Sequence, residues 1–188
     1  MLLGLSALML VLLTYAVSRT FLHRWRRQQA RVMAAQLRGR DRPQPPQFLY
    51  ARLRAMDPLA FEELLVESFE RSGHKVERNY RYIGDGGIDG QVVIDGHVWL
   101  FQAKRYADTI RPEHVAAFEN LCRLNGQRGL FIHTGRTGPQ SRAVITDGSV
   151  VQIISGRALL ALLTDGSLPM LASSANQVQP GSVLGRSI

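Results

Sequence analysis

Residues 88–104 read Ile-Asp-Gly-Gln-Val-Val-Ile-Asp-Gly-His-Val-Trp-Leu-Phe-Gln-Ala-Lys. Asp95-Gly96 is a strong signal for a two-residue hairpin turn, and the runs on either side, Ile88 to Ile94 and His97 to Lys104, have strand character. A turn of that length sets the register. It places Asp89 directly opposite Gln102, with Cβ atoms about 4.5–5.5 Å apart, so that a carboxylate and an amide oxygen can reach one metal ion. Alternation then puts Asp89, Gln102 and Lys104 on one face with Val93, Val98 and Leu100, and Val92, Ile94, Trp99, Phe101 and Ala103 on the other. A strand pair apolar on both faces belongs at the centre of a sheet, where ionisable groups need a reason. One reason is a buried Asp–Lys ion pair that merely satisfies itself, and the other is chemistry.

Outward from the hairpin, helix and strand alternate. Asp57-Pro58 opens a helix that runs to about Ser72, with Phe61, Leu64, Leu65 and Phe69 on its apolar face. On a helical wheel Glu62 falls at the edge of that stripe and can lean over the sheet, whereas Glu63 points nearly the opposite way. Lys75 to Tyr82 reads as a strand and Gly84 to Gly87 as a turn. After the hairpin come a helix over Pro112 to Leu124, a strand over Gly129 to Thr134, a helix over Pro139 to Asp147, a strand over Val150 to Ile154 and a helix over Gly156 to Leu163. The expected class is α/β, a mixed sheet with helices on its faces.

The chain has 188 residues, 45% hydrophobic and 20% charged, which suits one cored domain and excludes a disulfide-stapled miniprotein or a wholly disordered chain. Its single cysteine, Cys122, forms no intrachain disulfide and reads as a small hydrophobe in a helix. The net charge is +8, and +7 of it lies between Arg19 and Arg42. Before that segment, Leu2 to Val17 carries no charge. Those residues span about 24 Å as a helix, a little short of a ~30 Å hydrocarbon core, and Met1, Ser18, Phe21 and Leu22 can extend them. We therefore expect a single-pass transmembrane anchor over 1–18, a basic juxtamembrane helix over 19–42 and a Pro-rich linker over 43–55. The main domain follows over 56–165 and a disordered tail over 166–188. The positive-inside rule places the main domain in the cytoplasm, at a bacterial-type inner membrane. A cleaved signal peptide is the alternative, suggested by Ala16-Val17-Ser18 and opposed by the arginines that follow at once.

Phe61-Glu62, Gly84-Asp85-Gly86-Gly87-Ile88-Asp89-Gly90, Gln102-Ala103-Lys104-Arg105-Tyr106 and Thr134-Gly135 together resemble the Mrr-like catalytic domain of type IV restriction endonucleases, in the PD-(D/E)xK superfamily. The resemblance implies a restriction-endonuclease-like fold and Mg²⁺-dependent hydrolysis of DNA, with Mn²⁺ as a substitute ion. It implies Asp89 as the metal-binding acid, Gln102 in place of the motif's second acid, Lys104 as its lysine and Glu62 as the helix carboxylate. Asp89, Gln102 and the Ala103 carbonyl would hold the ion. Arg105, Tyr106, Thr134 and Arg136 are candidates for phosphate contact, although Arg105 also reads as a solvated strand end and Thr134 to Thr137 as an ordinary turn. Asp85 reads as a turn former and His133 as a core or edge residue. A non-catalytic DNA-binding protein and a junction-resolving nuclease remain alternatives on the same fold. With one site per chain, double-strand cleavage needs a homodimer or two encounters.

Overall fold

The computed structural model describes residues 2–39, 45–78 and 87–168. Helix α1 (Leu2–Arg38) is followed by α2 (Pro46–Ala55) and α3 (Pro58–Arg71). Then come β1 (Val76–Arg78), β2 (Gly90–Ile94), β3 (His97–Lys104), α4 (Pro112–Leu124), β4 (Arg128–His133), α5 (Pro139–Ala143), β5 (Val151–Ile154) and α6 (Gly156–Thr164). The sheet order is β1-β2-β3-β4-β5, antiparallel up to β3 and parallel beyond it. This is the mixed α/β sheet flanked by helices that the sequence predicts, with the hairpin strand β3 at its centre.

Each face of the sheet is closed by a helix whose apolar spacing fits it. Asp57 caps α3, its Oδ1 accepting the N–H groups of Leu59 and Ala60 at 3.0 and 3.2 Å. The buried face of α3, Phe61, Leu64, Leu65 and Phe69, joins Val92, Phe101, Ala103, Leu130 and Ile132 of the sheet in one core. On the other side Leu100, Phe131 and Val151 are covered by Val115, Phe118 and Cys122 of α4. Burial of each large apolar side chain contributes about 1.5–3 kcal/mol, so these two layers dominate the stability. A polar tie locks the second layer. The buried Glu119 accepts the N–H groups of Val150 and Val151 at 3.1 and 3.0 Å and pairs with Arg123 at 2.7 Å, joining α4 to β5.

Three expectations about the N-terminal region change. Among the described residues no helix is long and apolar enough to cross a membrane. The segments assigned to an anchor and to a juxtamembrane helix are one continuous helix, α1. Its second half does not lie free: Ala30, Met33 and Ala34, at helical spacing, are buried in the core with α3. Arg26 bonds the cap carboxylate of Asp57 at 3.0 Å and Arg27 approaches Glu63 at 3.7 Å, so the juxtamembrane arginines are partly spent on the domain itself. The segment 43–55 is not merely a linker, because Pro46 occupies the first turn of α2 instead of only ending what precedes it. Leu53 of α2 is fully buried and Tyr50 donates to the Gly156 carbonyl at 2.7 Å. The turn at 84–86, with Asp85, lies outside the described residues, as does the tail from residue 169.

Glu119 offers the sharpest test of the packing. A buried N–H without a partner costs about 1–3 kcal/mol, so Glu119→Ala should lower the unfolding free energy by about 2–4 kcal/mol in urea titrations. A loss below about 0.5 kcal/mol, the scale of an ordinary surface change, would contradict the tie.

Candidate active site

The β2–β3 register runs from Ile94–His97 back to Gly90–Phe101, as the turn requires, with Asp95 at φ 50° and Gly96 at φ 77°. One residue further it departs from the sequence expectation. The Asp89 N–H donates to the Phe101 carbonyl at 2.9 Å, although Gly90 already partners Phe101, so two residues oppose one. This β-bulge takes Asp89 out of the register that would pair it with Gln102. Its carboxylate Oδ2 accepts the Ala103 N–H instead, at 2.7 Å. Gly90 is required at the bulge because a Cβ there would fall 2.6 Å from the Phe101 ring.

Gln102 is buried and its Nε2 donates to the Gly87 carbonyl at 2.6 Å. Gly87 has φ 101°, and a Cβ on it would sit 2.1 Å from that nitrogen, so the residue is glycine for both conformation and space. With Nε2 engaged, Oε1 is the amide's remaining acceptor. In a strand the N–H and C=O of one residue point to the same edge. The Ala103 carbonyl therefore faces the Asp89 side, beyond the last β2–β3 pair. Lys104 ends β3, and its own carbonyl accepts the Thr134 N–H of the neighbouring strand end at 3.2 Å.

Glu62 approaches from α3. Burial pushes its carboxyl up to about 8, the charge of Asp89 pushes in the same direction, and Lys104 opposes without prevailing. Two carboxyl groups that resist ionising together, beside an amide and a main-chain carbonyl, form an all-oxygen donor set suited to a hard divalent cation. The donor types present fit such an ion, and Asp89, Gln102 and the Ala103 carbonyl are the groups that would hold it.

The remaining candidates separate. The Arg105 guanidinium bonds the carbonyls of Arg54 and Met56, at the end of α2, and so stitches that helix down instead of facing phosphate. Thr134 is fully buried and its hydroxyl donates to the Tyr106 carbonyl at 3.1 Å. Arg136 is exposed, 3.8 Å from Asp108. Tyr106 stacks on His114, with a phenol–imidazole hydrogen bond between them. His133 is core, as read: burial drives its ring down to about 4, and Nε2 meets the Thr137 hydroxyl at 3.1 Å. Sequence reasoning missed His114 and Arg54. His114 had a signal, a polar aromatic in the first turn of a helix that follows the motif strand. Arg54 had none, because its 2.8 Å bond to the Thr134 carbonyl joins residues far apart in the chain.

The raised Glu62 carboxyl has a measurable consequence. The unfolded chain releases this proton near 4.5 and the folded chain near 8, so between those values the folded state binds one more proton and stability falls as pH rises. For a half-buried group the loss should be about 1–2 kcal/mol after solvent screening. In metal-free protein the urea midpoint should drop from pH 5 to pH 8, and Glu62→Gln should flatten the dependence. Equal slopes in the two proteins would refute the shift.

The family model Mrr_cat, described as restriction endonuclease, matches residues 53–163. No curated protein matches the chain. No solved structure does either. The family match spans more than half of the sequence and contains α3, the bulged hairpin, Lys104 and both flanking helices. The chain thus belongs to the Mrr-type restriction-endonuclease catalytic family, and its domain is that of an endodeoxyribonuclease.

Proposed function

We propose that this nuclease hydrolyses DNA phosphodiester bonds with Mg²⁺ held by Asp89, Gln102 and Ala103, and that it acts on foreign DNA as type IV restriction enzymes do. The observation that carries the reading is the Asp89 carboxylate bound to the Ala103 N–H at the end of the hairpin, one residue before Lys104. Mg²⁺, when bound, supplies polarisation of the phosphoryl group and a lowered pKa for the attacking water. Asp89 and Gln102 orient their oxygens from positions set by backbone bonds, so little reorganisation is needed as charge develops. Lys104 presents a compact cation at the strand end, where it can stabilise charge on the phosphate. Glu62, neutral at pH 7 in the metal-free protein, becomes the more acidic as positive charge enters the site.

Membrane association is part of the same proposal. On the first half of α1, Met9, Leu10, Leu13, Val17 and Phe21 are each exposed, and at 100° per residue they fall within one arc of about 120°, a single apolar stripe. An apolar surface of that kind marks a contact with lipid or protein. The arginines that follow from Arg19 favour an anionic lipid surface, which places the proposed contact at the cytoplasmic face of a bacterial-type inner membrane.

Two measurements check these points. Nicking of supercoiled plasmid with Mg²⁺ should fall by about 10²-fold or more in Asp89→Ala and in Lys104→Ala, and parent-like cutting by either would sink the assignment. The full chain should sediment with membranes, and the double substitution Leu10→Arg, Leu13→Arg should release it. Retention of that variant would place the anchor elsewhere.

A further inference from the structure

Between the end of β3 and the first turns of α4 lies a cavity of about 430 Å³. Its lining includes Gln102, Lys104, Tyr106, His114, Ala117 and Phe118. The volume is within the range of about 300–1,000 Å³ found for pockets that enclose a small organic group. His114, Ala117 and Phe118 share one face of α4 through their spacing of three and four, so the helix offers this cavity a mostly aromatic wall.

That wall is rigid. Tyr106 lies 5.9 Å from His114, centroid to centroid, with an interplanar angle of 23°, and the edge of His133 meets it from another side at 6.3 Å. The Gly135 backbone packs so closely that a Cβ there would fall 2.7 Å from the Tyr106 Cβ. Tyr106 is thereby held as a surface to stack on. Among the described residues lining the cavity, Lys104 is the cation not spent on main-chain carbonyls, since Arg105 gives its guanidinium to those of α2. A pocket for a free anion would reverse these proportions, with several cations and few rings.

We propose that the cavity receives one nucleoside of the substrate strand, turned out of the base stack and laid against Tyr106 and His114, next to the phosphate that is cut. This rests on the nuclease reading and deepens it. Ring faces accept any base by stacking, while the shape of the cavity and the imidazole edge of His114 discriminate among bases. A base inside a duplex cannot enter such a recess, so extrusion is required, and it costs least where the base is mismatched, damaged or already single-stranded. Ala117 is the small residue that keeps the cavity open, and it is exposed, so a larger side chain there leaves the core intact.

The test uses the full chain and short duplexes carrying 2-aminopurine at each position in turn, with Ca²⁺ in place of Mg²⁺. Binding of the parent should raise the fluorescence at one or more positions, as an unstacked base requires. Ala117→Trp, which fills the cavity, should bind the same duplexes without that rise and keep the parent's urea midpoint. A parent that binds with no rise at any position overturns the proposal, as does a rise undiminished in Ala117→Trp. A rise in a parent that cuts no DNA with Mg²⁺ would leave the cavity standing and remove the nuclease reading, and absence of DNA binding would remove both.

Discussion

The site depends on one hydrogen bond, the Ala103 N–H given to Asp89 Oδ2. A charge-assisted bond of this kind is about twice as strong as a neutral one, and here it offsets a broken ladder. The bulge at Asp89 and Gly90 ends the regular β2–β3 pairing at Phe101, which leaves the next edge group of β3, Ala103, to a side chain. The result is a carboxylate fixed against the strand that also carries the amide and the lysine. The two glycines flanking Ile88-Asp89 serve this arrangement differently. Gly87 accepts the Gln102 amide at close range, and Gly90 makes room for the Phe101 ring.

The surrounding helices are held by arginine, which explains much of the basic composition in structural terms. Arg26 ties α1 to the N-cap of α3, and Arg78 reaches Glu63 at 3.3 Å and Glu70 at 2.9 Å on the same helix. Arg105 and Arg54 fasten α2 to the end of the sheet through main-chain carbonyls. A guanidinium suits these places because its fork satisfies two acceptors at once and keeps its charge when half-buried. The helix bearing Glu62 is thus braced from behind by α1.

The hairpin, the capped helix α3 and the order of elements were legible because each rests on local chemistry: a two-residue turn, an Asx cap, a spacing of apolar residues. Asp89, Gln102, Lys104 and Glu62 were singled out on the same kind of local pattern. The bulge was not, since a regular register is the default that alternation implies and only the packing of Phe101 on Gly90 breaks it. The roles of α1 and α2 were hidden because both depend on contacts with distant residues. Ala30 and Ala34 are too small to announce a buried face by hydropathy, and a proline run reads as a stop signal until Pro46 is seen to begin a helix.

The electrostatics at the strand end bear on the two readings that the spacing alone left open. An Asp–Lys pair that simply satisfied itself would dominate its surroundings, and a third carboxyl drawn to the same lysine would ionise more readily than a free one. Glu62 does the reverse, because burial and Asp89 together outweigh Lys104. A second negative charge is therefore resisted here, because Glu62 is largely desolvated and Lys104 already faces the charge of Asp89. A partly desolvated, oxygen-lined site of this kind gains from an added divalent cation, which would let both carboxyls ionise. The resistance of Glu62 to ionising and the oxygens of Asp89, Gln102 and Ala103 both support the proposed cation at this strand end.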